Sequence, residues 1–243
     1  MEKRTLALLL LAGMATTAQA ADPRPYNGMP RPFVGVYETS YGMVSARGER
    51  KLEALPDGRW KMENHARLFM VDVAETSTFT LQGGRVNSLN YEFINPLSKD
   101  RSLALDFDWT ANTVTERTQK IVQKLGPNVY DKLSYQVQLQ IDVCANPDQF
   151  TAKDYTVVDR KRLKTYRVEL VRREPQNTAA GMLDTFHLRQ FRPDKPDGKD
   201  TLIWRASDWN CLLVRLDQRD GSDTISLKLV KAKLAGVDVQ HKP

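Results

Sequence analysis

The chain has 243 residues, 27% of them charged, a formal net charge of +6 and two cysteines. A chain of this length buries a full core without staples and fits one large domain or two small ones. No Ser/Gly-rich linker, low-complexity tract or repeat divides it, so one domain is expected.

The start, MEKRTLALLLLAGMATTAQA, places Lys3 and Arg4 before an apolar run and then small residues ending in Ala18-Gln19-Ala20. That order reads as a secretory signal peptide over residues 1–20, cleaved between Ala20 and Ala21. The apolar run is too short for a membrane span, which needs about 20 residues, and no later segment reaches that length. A soluble exported protein without a transmembrane segment is therefore expected, in a bacterial periplasm. Few nucleic acids are met there. For the basic charge, anionic lipid head groups are the more available partner, and plain solubility is the simpler explanation. Residues 21–32 read as a linker, 33–235 as the domain and 236–243 as a tail.

Alternation then organises the chain into strands. After the turn Pro56–Arg59, one strand places Trp60, Met62, Ala66, Leu68 and Met70 on one face, a stripe interrupted by Asn64. A later hairpin closes at Gln82–Arg85. In the segment RSLALDFDW, Leu103, Leu105, Phe107 and Trp109 point one way, and the chain turns at Thr110–Asn112 into Thr113–Gln119. The pattern returns at Tyr155–Asp159, Leu163–Arg172, Thr185–Phe191, Thr201–Ala206, Cys211–Gln218 and Thr224–Leu234. These strands predict a mainly β (α+β) fold: a curved antiparallel sheet of roughly eight to eleven strands, or an incomplete barrel, with a helix packed against its concave face.

The segment Asp131–Pro147 alternates like a strand, yet its flanks are those of a helix. Asn128 reads as an N-cap with Asp131 at the third position, and Asn146 as a left-handed C-cap before Pro147. A span of about 16 residues suits a helix better than a strand. On a helical wheel Tyr130, Leu133, Val137, Ile141 and Cys144 form one apolar stripe, and Tyr135, Leu139 and Val143 another nearly opposite. Such a helix requires cover on both sides, by a filled core or by a cavity wall.

The segments FDW (Phe107–Trp109), YDKLSYQVQLQ (Tyr130–Gln140) and TLIWRASDWNCLLVRL (Thr201–Leu216) resemble the bacterial envelope family named domain of unknown function 3108. Its Asp-x-Leu-Ser pattern falls on Asp131, Leu133 and Ser134, and its late strands on Ile203, Trp204, Val214 and Arg215. The resemblance covers about Phe33 to Leu234. It implies a half-barrel wrapped around helical segments, similar to periplasmic lipoprotein carriers, and brings no catalytic residues with it.

In an oxidising compartment the even pair Cys144 and Cys211 favours a disulfide over two buried thiols. No ligand set has metal spacing, no cofactor is implied, and no strained-turn signature supports a triad of Ser134 with His187 or His65. Ser134 is better read as a first-turn residue bonding locally. Candidate ligand-binding residues are Trp60, Met62, Met70, Phe107, Trp109, Tyr135, Leu139 and Trp204, where wide apolar faces and flexible Met suit acyl chains, against plain core packing as the alternative. The expected function is non-enzymatic: binding or shielding a hydrophobic or anionic lipid-like envelope molecule, such as a lipid, an acylated peptide or a lipoprotein segment. The alternatives are a scaffold acting on an envelope protein through its surface and, last, a hydrolase.

Overall fold

The computed structural model describes residues 26, 28–42, 44–68, 71–96, 101–160, 162–195 and 198–240. The expected leader with its Ala20–Ala21 junction, Met70 and His241 lie outside them. The first half of the chain forms β1 (Phe33–Tyr41), β2 (Val44–Ala54), β3 (Trp60–Leu68), β4 (Val71–Gln82), β5 (Arg85–Ile94), β6 (Leu103–Asp108), β7 (Thr113–Glu116) and β8 (Ile121–Lys124). A short strand β9 (Val129–Tyr130) precedes the helix α1 (Ser134–Ala145). There follow β10 (Ala152–Asp159), β11 (Arg162–Thr178), β12 (Gly181–Phe191), β13 (Asp200–Ala206), β14 (Leu212–Asp220), β15 (Asp223–Leu234) and β16 (Val237–Asp238).

All sixteen described strands belong to one sheet, in the order β8-β7-β6-β5-β4-β3-β2-β1-β15-β14-β13-β12-β11-β10-β9, with β16 beside β15. The count exceeds the eight to eleven expected because β8, β9 and β16 have only four, two and two residues, too few for alternation to register, and because β1 and β2 are not among the expected strands. Two up-and-down meanders, β1–β8 and β10–β15, meet where β1 pairs with β15 in mid-sheet. The two outer edges therefore belong to the middle of the sequence, and the chain must cross from one edge to the other. Residues 125–128 make that crossing from β8 to β9, and α1 then passes through the concavity as the connection between β9 and its parallel neighbour β10. Irregularities at Val36/Tyr37, Thr78/Phe79, Leu170/Arg172 and Trp204/Arg205 strengthen twist and curl the sheet, which stays open rather than closing into a barrel.

Each strand of the concave face contributes alternate residues to the core. In β6, Leu103, Leu105 and Phe107 are buried while Asp106 and Asp108 are exposed. Both helix stripes are covered, with Leu133, Val137 and Ile141 on one side and Tyr135, Leu139 and Val143 on the other all at most 8% exposed. The seams are covered too, since Gln138 and Gln140 are buried and hydrogen-bonded: Gln138 accepts from Val86 N at 2.8 Å and Gln140 Nε2 donates to Asn210 O at 2.7 Å.

The helix begins later than its flanks suggested. Asn128 has a left-handed φ of 59° in the turn before β9, and Tyr130 and Val129 pair in parallel with Val157 and Thr156 of β10, so Asn128 is not the cap. Asp131 caps instead: its Oδ1 accepts from Leu133 N and Ser134 N, both at 2.8 Å, while Asp131 N donates to Ser134 Oγ at 3.0 Å. This is a reciprocal capping arrangement with serine in place of the usual glutamate. At the other end Asn146 has φ −143° and ψ 69°, not the left-handed cap expected, because the ring of Pro147 pushes the residue before it toward extended backbone; the disulfide between Cys144 and Cys211, with Cα atoms 6.0 Å apart, ties the last turn to the connection between β13 and β14. Part of the expected tail is ordered: Val237–Asp238 pairs with β15, and Val239 is buried.

Candidate functional site

Helix α1 runs toward the end of the sheet where the β13–β14 connection and the β4–β5 turn lie; Gln138 Nε2 reaches Gly84 O at 3.1 Å. That end is plugged. At the opposite end, where β1, β3 and β5 terminate, the concave face carries a cavity of about 180 Å³. Its walls are two rows of the sheet, set by strand register: Tyr37, Gly48, Ala66 and Val73 form one, and Arg50, Asn64, Glu75 and Phe93 the other.

Two glycines make this geometry possible. A Cβ on Gly35 would stand 2.7 Å from Tyr37 Cε2, so its absence lets the tyrosine ring lie back along β1 and its hydroxyl donate to Leu213 O at 2.7 Å. A Cβ on Gly48 would meet His65 O at 2.9 Å and Ala66 Cβ at 3.1 Å, so any larger residue would intrude on β3 and the cavity wall. Leu227 closes the β15 side. Beyond it Tyr41 and Ile225, partners across β1 and β15, continue the same face to the rim at 52% and 41% exposure.

The floor is charged. Arg50 is 8% exposed and Arg205 3%, and both reach the same helix residue: Arg50 Nη2 donates to Gln136 Oε1 and Arg205 Nη2 to Gln136 O, each at 2.8 Å. Arg205 Nη1 also donates to Cys211 O at 2.9 Å. Among the described residues neither guanidinium has a carboxylate within ion-pair distance, and the Nε of each has no hydrogen-bond partner. Burial lowers the affinity of both for their protons, and the proximity of Arg50 helps to push Arg205 down to about 10. Glu75 faces the same cavity, but its carboxylate accepts from Asn64 Nδ2 at 2.9 Å and Tyr91 OH at 2.6 Å. Asn64 Oδ1 is a further buried atom with no partner.

The residues singled out from sequence lie elsewhere. Trp60 and Met62 are on the inner face of β3, and Phe107 stacks on Trp109 at 6.2 Å between ring centres, with Trp109 Nε1 donating to Ser88 O. Tyr135 OH donates to Gln190 Oε1 at 2.7 Å, and Leu139 is wholly buried. These surround the helix in the filled part of the interior. Trp204 is on the outer face of β13, where it is covered rather than exposed: its ring stacks on His187 at 4.4 Å, its Nε1 donates to Glu174 Oε1 at 2.6 Å, and Arg215 lies 4.7 Å above it. The triad weighed from sequence is not assembled, since Ser134 Oγ bonds Ser88 Oγ inside the sheet while His187 packs outside. His65 is on the exposed face of β3, 3.7 Å from Asp72. Sequence reasoning missed Arg50 and Glu75. The signal present was Asn64, a polar residue breaking an apolar stripe, which marks the row that the register extends to both.

The family described as "Protein of unknown function (DUF3108)" matches residues 37–230, and the chain belongs to it. No curated protein is similar to the chain in sequence. Among solved structures, the β-barrel-like protein of domain of unknown function DUF1849 from Brucella abortus superposes with a TM-score of 0.59 at 9% identity, over 85% of this chain and 98% of that one. A chain of the Pseudomonas aeruginosa MucA/MucB complex gives 0.41 at 10% identity, over 86% of this chain and 54% of that one. The first likeness, at such low identity, concerns the fold alone.

Proposed function

We propose that this chain is an exported envelope protein that holds one end of an amphiphilic molecule, such as a lipid or an acylated peptide, at the open end of its half-barrel without transforming it. The observation that carries this reading is the division of the concave face: the helix plugs one end, and the other keeps a cavity whose wall continues through Tyr41 and Ile225 to the rim. Volumes of about 300–1,000 Å³ are usual for sites that engulf a drug-sized molecule. The 180 Å³ here suits part of a molecule, with the remainder crossing the apolar rim. The leader-like first twenty residues support an envelope setting, and the periplasm is the compartment proposed.

The test is to purify the mature protein from a native periplasm and analyse its organic extract by mass spectrometry, with Gly48→Val as comparison. The expected result is an acyl-bearing species recovered with the parent protein and depleted in Gly48→Val, whose side chain enters the cavity wall. Reproducible absence of any such species, together with no uptake of an added acyl probe, would overturn the reading.

A further inference from the structure

We infer that Arg50 is an anion-binding residue: the cavity at the open end takes an anionic oxygen group, a phosphate or a carboxylate, on the guanidinium of Arg50. This rests on the amphiphile reading and specifies which end of the molecule enters.

A buried charge without a partner is costly, and folded chains pair such groups with an opposite charge. Arg50 is more than nine-tenths buried, lines the cavity, and spends one nitrogen on the neutral oxygen of Gln136. Its Nε has no partner among the described residues. A second buried guanidinium, Arg205, converges on the same glutamine and feels the charge of Arg50. The charge of Glu75 reaches Arg50 from a distance, but Glu75 makes no ion pair with it: Glu75 is two strands away in the same row, about 10 Å between backbones at the usual strand spacing, and is held by Asn64 and Tyr91.

The guanidinium presents several donors in a planar fork that matches carboxylate and phosphate oxygens. Tyr37, whose ring centre is 5.9 Å from Arg50 Cζ, and Phe93 provide apolar walls beside that fork. An anionic head with an alkyl chain meets the arrangement in order: oxygens on Arg50, first carbons against Tyr37 and Phe93, and the rest of the chain across Leu227 toward Tyr41 and Ile225.

The experiment titrates the mature protein by calorimetry with octyl phosphate, octyl glucoside, octyltrimethylammonium and inorganic phosphate. The Arg50 Nε–Hε resonance is followed in parallel. Octyl phosphate is expected to bind at least about tenfold tighter than the neutral and cationic amphiphiles, as charge-assisted hydrogen bonds would give, and to shift that resonance. Arg50→Gln should erase the preference for octyl phosphate, and Arg47→Gln, on the exposed outer face, should keep it. Equal binding of all three amphiphiles with no shift at Arg50 would overturn the inference and leave the proposed function standing. Inorganic phosphate binding as tightly as octyl phosphate, and losing affinity in Arg50→Gln, would support the anion site and assign it to the free ion, removing the amphiphile reading instead. Should Arg50→Gln not fold, the head-group comparison and the resonance on the parent protein decide alone.

Discussion

Reducing the disulfide tests how the helix is held in the half-barrel. The bond joins residues 67 apart, and the chain-entropy relation for a loop of that size gives about 4 kcal/mol of stabilisation at 25 °C, exerted on the unfolded chain. Native geometry at the junction has other supports. Gln140 Nε2 donates to Asn210 O at 2.7 Å and Arg205 Nη1 to Cys211 O at 2.9 Å, and these hold Asn210 and Cys211 at their left-handed φ values of 54° and 50°. Reduction should therefore leave the folded structure intact and act on the denatured ensemble. Urea unfolding of the oxidised protein, the same protein with reductant, and the Cys144→Ala/Cys211→Ala variant should show losses of about 2–5 kcal/mol for both cross-link-free forms, and a steeper denaturant dependence as the freed chain expands. A loss below about 1 kcal/mol with an unchanged slope would refute the loop-entropy reasoning. Loss of native near-UV circular dichroism on reduction in water would refute the claim that the hydrogen bonds suffice.

Replacing Asp131 by Ala removes the acceptor of two helix-start N–H groups and should cost about 1–2 kcal/mol or more, with Asp131→Asn recovering part of it; thermal denaturation of the two variants distinguishes them. Leu139→Ala should cost about 2–5 kcal/mol, and Leu139→Asp and Val137→Asp should both prevent folding in soluble expression trials, since each stripe of α1 is covered. Gly48→Ala should destabilise by about 1–3 kcal/mol through its approach to His65 O, a cost that chemical denaturation would register. Burial holds the His187 imidazole below its ordinary pKa, so the unfolded chain binds the extra proton first. The stability this contributes is complete above the unfolded value of about 6.5 and is lost as pH falls through the depressed folded value. Unfolding free energies of the parent and His187→Gln should differ in slope below about pH 6.5, and parallel slopes there would count against the assignment.

What the sequence determined was local or pairwise in composition. Alternation located most strands, the contrast between Asp131–Pro147 and its flanks located the helix, and two cysteines in an exported chain pointed to one bond. Where elements were too short to alternate, as in β8, β9 and β16, the pattern fell silent. Trp204 reads from sequence like an inward residue, yet it faces outward and is covered because the long β11–β12 hairpin brings Glu174 over it. The site is the clearest case. Arg50, Asn64, Glu75 and Phe93 belong to four strands, and nothing in any one segment announces the others; antiparallel register alone sets them in one row. Which end of the concavity stays open was likewise decided only in three dimensions. Pairing β1 with β15 puts both sheet edges in the middle of the chain, α1 connects β9 to its parallel neighbour β10 through the concavity, and the direction in which that helix runs fills one end and leaves the other to Arg50.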